Sequence, residues 1–172
     1  MSLQNLKLPI ELVTDLYANH LIEPTTGSTD KIDNKKNKAI SLPSLGGNEK
    51  RITILVSEES QPFMKDDELE WLQKMLQACK LTLGDVAIVN THSKNFSMAL
   101  VKQQLRPWKL VMLGPSPTDL QLPLNFPQFK IQEHDNCAYL AAPTPKELNR
   151  ETKEGKLLKS KLWVSLQTLF EV

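Results

Sequence analysis

The sequence predicts an α/β fold, a three-layer α/β/α sandwich with a small, mainly parallel, twisted sheet. Two observations predict this class. Short apolar runs rich in β-branched residues, of which residues 52–56 are the clearest, alternate with segments whose apolar residues recur every three or four positions. Buried strands separated by helices pair in parallel through right-handed crossovers. A chain of 172 residues is long enough for one such domain and some additional chain.

The folded α/β domain is predicted to span residues 51–172. Its strands are predicted at residues 52–56, 86–89, 110–113, 129–131 and 137–141. A first helix is predicted from Asp66 to about Cys79, with Asp66 and Asp67 capping and charging its start. A second helix is predicted from a Ser97 cap to about Leu105, followed by a short turn at 144–148 and a C-terminal amphipathic helix containing residues 158–169.

Two segments precede this domain. Residues 1–25 are predicted to contain a short amphipathic helix that Pro9 can begin, because proline suits the first helical position. Such a helix can lie in the groove of a partner protein, or it can fold back on the domain as an extra core helix. Residues 26–50 contain a lysine cluster, three glycines and one proline, and are predicted to be a linker or flexible loop. The apolar face of the helix, predicted to bind the partner, consists of Ile10, Val13, Leu16 and Tyr17.

The composition excludes several classes of protein. Lys and Arg number 21 and Asp and Glu number 20, which excludes a polybasic protein and predicts weak or no direct binding of nucleic acid. Two cysteines exclude a disulfide framework and a four-cysteine zinc site, and are typical of a reducing, intracellular setting. The sequence contains no apolar run of the length that a signal peptide or a membrane span requires. A cytoplasmic location without membrane contact is therefore predicted.

Candidate chemistry lies where the strands end, because open α/β sheets bind ligands at the carboxyl ends of their strands. The acidic residues there are interpreted either as a metal or general-base site or as a solvated acidic face. The loop after the third strand either approaches a phosphate or is a simple turn, and its two prolines remove amide donors. The predicted rim of this pocket consists of Ser57, Glu58, Glu59, His92, Gly114 and Ser116. Asn90 lies within the same group of strand ends and is a separate candidate.

No catalytic residue, metal or cofactor is predicted. The three histidines do not have zinc-ligand spacing, and no serine lies in a Gly-x-Ser-x-Gly elbow. Cys79 and Cys137 are predicted to be core residues. Trp71, Trp108 and Trp163 are predicted to pack against the core rather than to stack on bases.

The segment from Ile52 to Phe170 resembles the uracil-DNA glycosylase superfamily. Three stretches carry the resemblance: a strand that ends in Asn90, the Arg106-Pro107 step before a strand that ends in Leu-Gly, and residues 139–145 leading into the last helix. The resemblance implies a uracil-DNA glycosylase-like fold. It also implies that Asn90 occupies the position at which the family reads a flipped base.

The catalytic motifs of that superfamily are missing. Residues 56–62 contain no glycine where the family has a Gly-rich catalytic loop, and Ala142 stands before Pro143 where the family has histidine. Loss of such a charge stabiliser typically costs about 10²–10³-fold in rate. The resemblance therefore implies a non-catalytic adaptor or binding protein. Two alternatives remain: an active DNA glycosylase that uses His92 or His134, and a small-molecule α/β enzyme that uses Glu58 or Glu59.

The psi subunit of the bacterial DNA polymerase III clamp-loader complex has this character, and the layout of the present chain is similar to it. In that family an N-terminal helical segment docks on the clamp loader and an α/β domain binds the chi subunit. The resemblance implies a role in DNA replication, with clamp-loader or other replication subunits as protein partners. The N-terminal helix of this chain would be the docking segment.

Overall fold

The computed structural model describes residues 41–123, 125 and 127–172, which form a mixed α/β fold. Its five-stranded sheet has the order β2-β1-β3-β5-β4. The strands β2, β1, β3 and β5 pair in parallel with one another, and β4 pairs antiparallel with β5. The predicted mainly parallel sheet is confirmed. The strands are β1 (Ile52–Val56), β2 (Val86–Asn90), β3 (Lys109–Leu113), β4 (Ile131–His134) and β5 (Cys137–Ala142).

Both faces of the sheet are covered. Ile54 and Val56 of β1 belong to one apolar cluster, whereas Leu55 between them belongs to a second cluster. Successive side chains of a strand point to opposite faces, so a strand covered on both faces is an unbroken apolar run. This is why β1 lacks the alternation of a half-exposed strand.

Four helices accompany the sheet: α1 (Asp66–Ala78), α2 (Met98–Leu100, continued as a π-helical segment Val101–Leu105), α3 (Pro145–Leu148) and α4 (Lys153–Phe170). Leu72 of α1 and Leu162 of α4 pack in the cluster that contains Ile54. Val101 packs in the cluster that contains Leu55. Within the described residues, no helix combines the length and the apolar character needed to cross a membrane.

The helix starts agree in part with prediction. The Ser97 hydroxyl oxygen accepts a hydrogen bond from the Leu100 amide at 3.2 Å, so its predicted capping role is confirmed. The residue that precedes α1 is Lys65, whose side chain makes no capping hydrogen bond. Asp66 and Asp67 therefore do not cap α1. They lie in its first turn, where their charge favours the positive end of the helix dipole.

The hairpin β4–β5 departs from the expected pattern of parallel pairing. Asp135 and Asn136 have φ values of 54° and 56°, which form a two-residue turn of the kind that joins antiparallel strands. β4 begins at Ile131 instead of residue 129, because the φ of Phe129 is 62° and is not extended. The predicted strand at 129–131 is therefore displaced toward the turn.

Part of the predicted linker is hydrogen-bonded to the edge of the sheet. The amide of Leu45 donates to the Ile88 carbonyl at 2.8 Å, and the amide of Ile88 donates to the Leu45 carbonyl at 2.7 Å. Asn48 continues the contact by donating to the Val86 carbonyl. Such a segment covers backbone groups that an edge strand would otherwise leave open. The predicted domain boundary between residues 50 and 51 lies inside this bonded segment.

Candidate functional site

The carboxyl ends of β1 and β2 bring most of the predicted pocket rim together. The two strands are parallel neighbours, and Val56 at the end of β1 aligns with Asn90 at the end of β2. The loops that follow them therefore start side by side. They hold Ser57, Glu58, Glu59 and His92.

Asn90 is the buried centre of this site, with 3% of its surface exposed. Its side-chain Nδ2 donates to the Glu58 carbonyl at 2.6 Å and to the Gln61 carbonyl at 3.0 Å. Its Oδ1 accepts from the amides of Glu58 and His92, each at 3.1 Å. An asparagine side chain can donate two hydrogen bonds and accept about two, so this amide is saturated. Asn90 fastens the 58–61 loop to β2 and has no capacity left for a base.

Ser57, His92 and Glu59 form a surface chain of polar contacts. The Ser57 hydroxyl lies 3.3 Å from His92 Nδ1, and His92 Nε2 lies 3.7 Å from Glu59 Oε1. The order of residue types is that of a serine hydrolase triad. The side chains of His92 and Glu59 are 44% and 86% exposed, so the carboxylate is not held in the buried position from which a triad acid orients its histidine. Exposed ion pairs of this kind contribute little.

The electrostatics of this edge are acidic. Hydrogen bonds from the hydroxyl and the amide of Ser60 lower the pKa of Glu58. Burial raises the pKa of Glu68 in the first turn of α1, and the nearby Glu58 carboxylate adds to this effect. Asp66 and Asp67 lie in the same turn, and Lys65 and Lys146 are close enough to Glu58 and Glu68 to offset part of this negative charge.

Gly114 and Ser116 after β3 serve the turn itself. Gly114 has a φ of 106°, and a Cβ at this position would lie 2.9 Å from Cγ2 of Thr144. Because Gly114 has no Cβ, the chain that leaves β3 can pass close to Thr144 at the start of α3. The Ser116 hydroxyl donates to Asp119 Oδ2 at 2.7 Å and accepts from the Asp119 amide at 3.2 Å. The hydroxyl and the amide of Ser116 both donate to the Asp119 carboxylate and lower its pKa, and these contacts keep the serine within its own loop.

The end of β5 is closed by a helix cap. Ala142 is 4% exposed and lies in the core cluster, and Pro143 beside it is buried. The Thr144 hydroxyl accepts from the Glu147 amide at 3.2 Å, and the Glu147 carboxylate accepts from the Thr144 amide at 3.3 Å. This capping box starts α3 directly after the end of β5.

Metal and thiol chemistry have little support in the described part of the chain. No group of three or more His, Cys, Asp or Glu side chains there could hold a metal ion. Cys79 and Cys137 are buried, and burial raises the pKa of the Cys137 thiol to about 11 and also raises that of Cys79. Both are protonated near neutral pH and are poor nucleophiles.

The tryptophans do not all pack as predicted. Trp71 and Trp163 lie against the core, but Trp108 is 65% exposed at the amino-terminal edge of the sheet, so the prediction is wrong for Trp108. Trp108 directly precedes β3 and therefore lies beyond the cover of the helices. The available sequence signal was its position between Arg106-Pro107 and Lys109, because an aromatic residue among cations is atypical of a core.

The predicted partner-binding residues Ile10, Val13, Leu16 and Tyr17 lie outside the described residues. No protein-family model matches this chain, and no curated protein matches it.

Proposed function

We propose that this chain is a non-catalytic adaptor with a uracil-DNA glycosylase-like fold, similar in role to the psi subunit of a replicative clamp-loader complex. The observation that carries the proposal is the saturated amide of Asn90. All four of its hydrogen bonds go to backbone groups of the adjoining loops. A side chain that reads a base must offer those groups to the base instead.

Two further features of this edge support a binding role over catalysis. By the resemblance, Ala142 takes the position of the family's charge-stabilising histidine, and Ala142 is buried. The carboxylates of Glu58, Glu59 and the first turn of α1 surround the place where DNA phosphates would approach. Base excision requires the pocket, the charge stabiliser and the positioned water together. Helices packed over both faces of a mainly parallel sheet support the three-layer, glycosylase-like fold.

The adaptor role rests on the amphipathic pattern of the N-terminal residues. Ile10, Val13, Leu16 and Tyr17 form an apolar face at helical spacing, and such a face binds in the hydrophobic groove of a partner. In the psi-like role, the predicted linker would connect this segment to the α/β domain, which would bind another subunit. The proposed partners are clamp-loader or other replication subunits, and the chain needs no cofactor for this role.

A uracil-excision assay tests the absence of catalysis. The full chain is incubated with single-stranded and double-stranded oligonucleotides that contain uracil, and released uracil is measured. We expect no release above the buffer blank. Excision by the wild-type chain that disappears in Asn90→Asp would contradict the proposal.

Affinity capture from lysate of the native cell tests the partner. Leu16→Asp places a charge on the predicted apolar face. Ala18→Asp places the same charge at a nearby residue that is not part of that face. We expect clamp-loader subunits to be recovered with the wild-type chain and with Ala18→Asp, and to be lost with Leu16→Asp. Recovery that Leu16→Asp leaves unchanged excludes this helix as the docking segment. Absence of replication subunits from every sample excludes the psi-like role.

A small-molecule enzyme that uses the same edge is the second candidate. The contacts of Ser57 with His92 and of His92 with Glu59 favour it. Hydrolysis of p-nitrophenyl acetate distinguishes the two functions. If Ser57 acts as a nucleophile, Ser57→Ala abolishes this hydrolysis. The adaptor proposal expects equal rates for the wild-type chain and Ser57→Ala.

A further inference from the structure

A second surface lies at the amino-terminal edge of the sheet, opposite the site described above. Trp108 stands there as a ridge between three open grooves of about 310, 420 and 540 Å³. Its side chain is 65% exposed. A tryptophan buries a large apolar area when it packs, so one left open to solvent is available to a ligand.

The neighbours of Trp108 are cations. The guanidinium of Arg51 lies 5.6 Å from the centroid of the Trp108 ring, and Arg106 lines the same groove. Neither arginine forms an ion pair with a carboxylate of the described residues. Six basic and three acidic side chains line the three grooves. Lys102 is paired with Asp135 at 2.8 Å and Lys50 with Asp85 at 3.5 Å, which leaves four basic and two acidic side chains outside these ion pairs. The surface therefore has positive charge available for an anion.

The backbone holds this group in an unusual conformation. Arg51 and Arg106 have φ values of 53° and 45°, in the left-handed region that residues other than glycine adopt at a cost. The amide of Trp108 donates to the Arg51 carbonyl at 2.9 Å and fixes the two residues together.

We propose that the Trp108 surface, formed by Arg51, Arg106 and Trp108, binds single-stranded nucleic acid. An unpaired base stacks on the face of the indole ring opposite the Arg51 guanidinium, and the two arginines contact the flanking phosphates. An aromatic plane beside cations in an open groove is the arrangement that binds single strands without sequence preference. A duplex does not fit, because its bases are already stacked on one another. At low salt, the acidic edge at the other end of the sheet favours binding of a nucleic acid at this surface over binding at that edge.

Single-stranded nucleic acid is favoured over an acidic protein segment by the shape of this surface. The ring stands as a ridge rather than as the wall of a deep pocket, and a peptide side chain needs a pocket to be buried. One aromatic residue and two free arginines hold only a few nucleotides. Weak binding of this kind agrees with a net charge of only +1.

Fluorescence anisotropy with a labelled oligothymidine tests the proposal on the full chain at a series of salt concentrations. We expect Trp108→Ala to weaken binding about tenfold without changing the salt dependence, because it removes stacking alone. Trp108→Phe should retain most of the affinity. Arg51→Gln with Arg106→Gln should reduce the slope of log affinity against log salt by about 1.4, since each phosphate contact of a single strand contributes about 0.7.

The matched control removes the same charge elsewhere. Lys153 and Lys156 are exposed in the first turn of α4, and Lys153→Gln with Lys156→Gln should leave both affinity and slope unchanged. All variants should keep the wild-type melting temperature, because every altered side chain other than Trp108 is exposed and Trp108 is mostly so. No binding by the wild-type chain, equal binding by Trp108→Ala, or an equal effect of the lysine control overturns the proposal. Displacement by polyglutamate at the same charge concentration also overturns it and points to an acidic protein segment.

Discussion

At the scale of single residues, Asn90 joins two loops through one amide. Asn90→Ala leaves the amides of Glu58 and His92 and the carbonyls of Glu58 and Gln61 without this partner. We expect a loss of about 2 kcal/mol in the free energy of unfolding, because buried polar groups left unpaired cost about 1–3 kcal/mol. Urea denaturation measures the loss.

The control for this change is Asn95→Ala in the following loop. Asn95 is exposed, and substitutions at such positions usually change stability by less than about 0.5 kcal/mol. If Asn90→Ala is as stable as Asn95→Ala, then Asn90 does not hold the loop. Its amide would be available to a ligand after all.

Two glutamates of α1 show how position sets the sign of a pH effect. Burial raises the pKa of Glu68 from 4.5, with Glu58 and Asp67 adding repulsion and Lys65 and Lys146 opposing it. The folded state therefore holds the Glu68 proton more tightly than the unfolded state. Its contribution to stability is full below pH 4.5 and is lost as pH rises through the raised pKa.

Glu68→Gln removes this loss and should make the chain more stable than wild type at neutral pH. The difference should shrink as pH falls through the raised pKa of Glu68 and disappear below pH 4.5, where the carboxyl is protonated in both states. Glu70→Gln should have the opposite effect at neutral pH, because Lys74 lies 2.7 Å from Glu70 and lowers its pKa. Urea unfolding of both variants across this pH range checks the two signs, and equal behaviour of the pair would contradict this account of Glu68.

At the scale of elements, the segment before β1 protects the edge of β2. Gly46 has a φ of 112°, and a Cβ there would lie 2.2 Å from the Val86 carbonyl oxygen. Gly46→Ala should therefore detach this segment and expose the Ile88 amide, which donates to Leu45. Hydrogen exchange of the Ile88 amide should accelerate markedly.

Gly84→Ala is the matched control. A Cβ at Gly84 meets only the Thr82 side-chain oxygen, at 3.4 Å, so exchange at Ile88 should stay close to wild type. Unchanged exchange in Gly46→Ala would show that residues 45–48 do not protect β2. The same result would leave the predicted linker boundary at residue 50 intact.

The elements that the sequence predicts well are those defined by local pattern. β1 agrees at both ends, and β2, β3 and β5 agree to within one residue, because buried β-branched and aliphatic runs mark strands. α1 and the Ser97 cap also follow from local pattern. The position of β4 and the attachment of Leu45 depend on positive φ angles and on a distant strand. No periodicity within a short window of sequence contains that information.

At the scale of the whole molecule, the candidate site was predicted only as a set of neighbours. Strand order places Ser57 and Asn90 together, and this follows from the rule for open sheets. The hydrogen bonds that saturate the Asn90 amide depend on the path of the backbone of residues 58–61, which the sequence pattern does not specify. The exposure of Trp108 likewise depends on where the helices end, and the net charge of +1 conceals an acidic edge and a basic edge.

The separation of these two edges makes a prediction about salt. A five-residue strand spans about 17 Å, which exceeds the Debye length of about 8 Å near physiological ionic strength but not that of about 30 Å at 0.01 M. Glu58→Gln with Glu59→Gln should therefore leave oligothymidine affinity unchanged near physiological salt. The same variant should bind more tightly than wild type at about 0.01 M salt, because repulsion between the acidic edge and the bound phosphates then extends across the sheet.

Anisotropy titrations of this variant and of the wild-type chain at both salt concentrations make the comparison. Lys74→Gln with Lys80→Gln changes the charge by the same amount in the opposite direction, and only Lys80 of the pair lines a groove beside Trp108. That variant should lose affinity at both salt concentrations, because Lys80 is close enough to act within a Debye length. If Glu58→Gln with Glu59→Gln increases oligothymidine affinity near physiological salt, then the nucleic acid contacts the acidic edge directly. Nucleic acid would then have to be placed at the carboxyl ends of β1 and β2, where Asn90 lies.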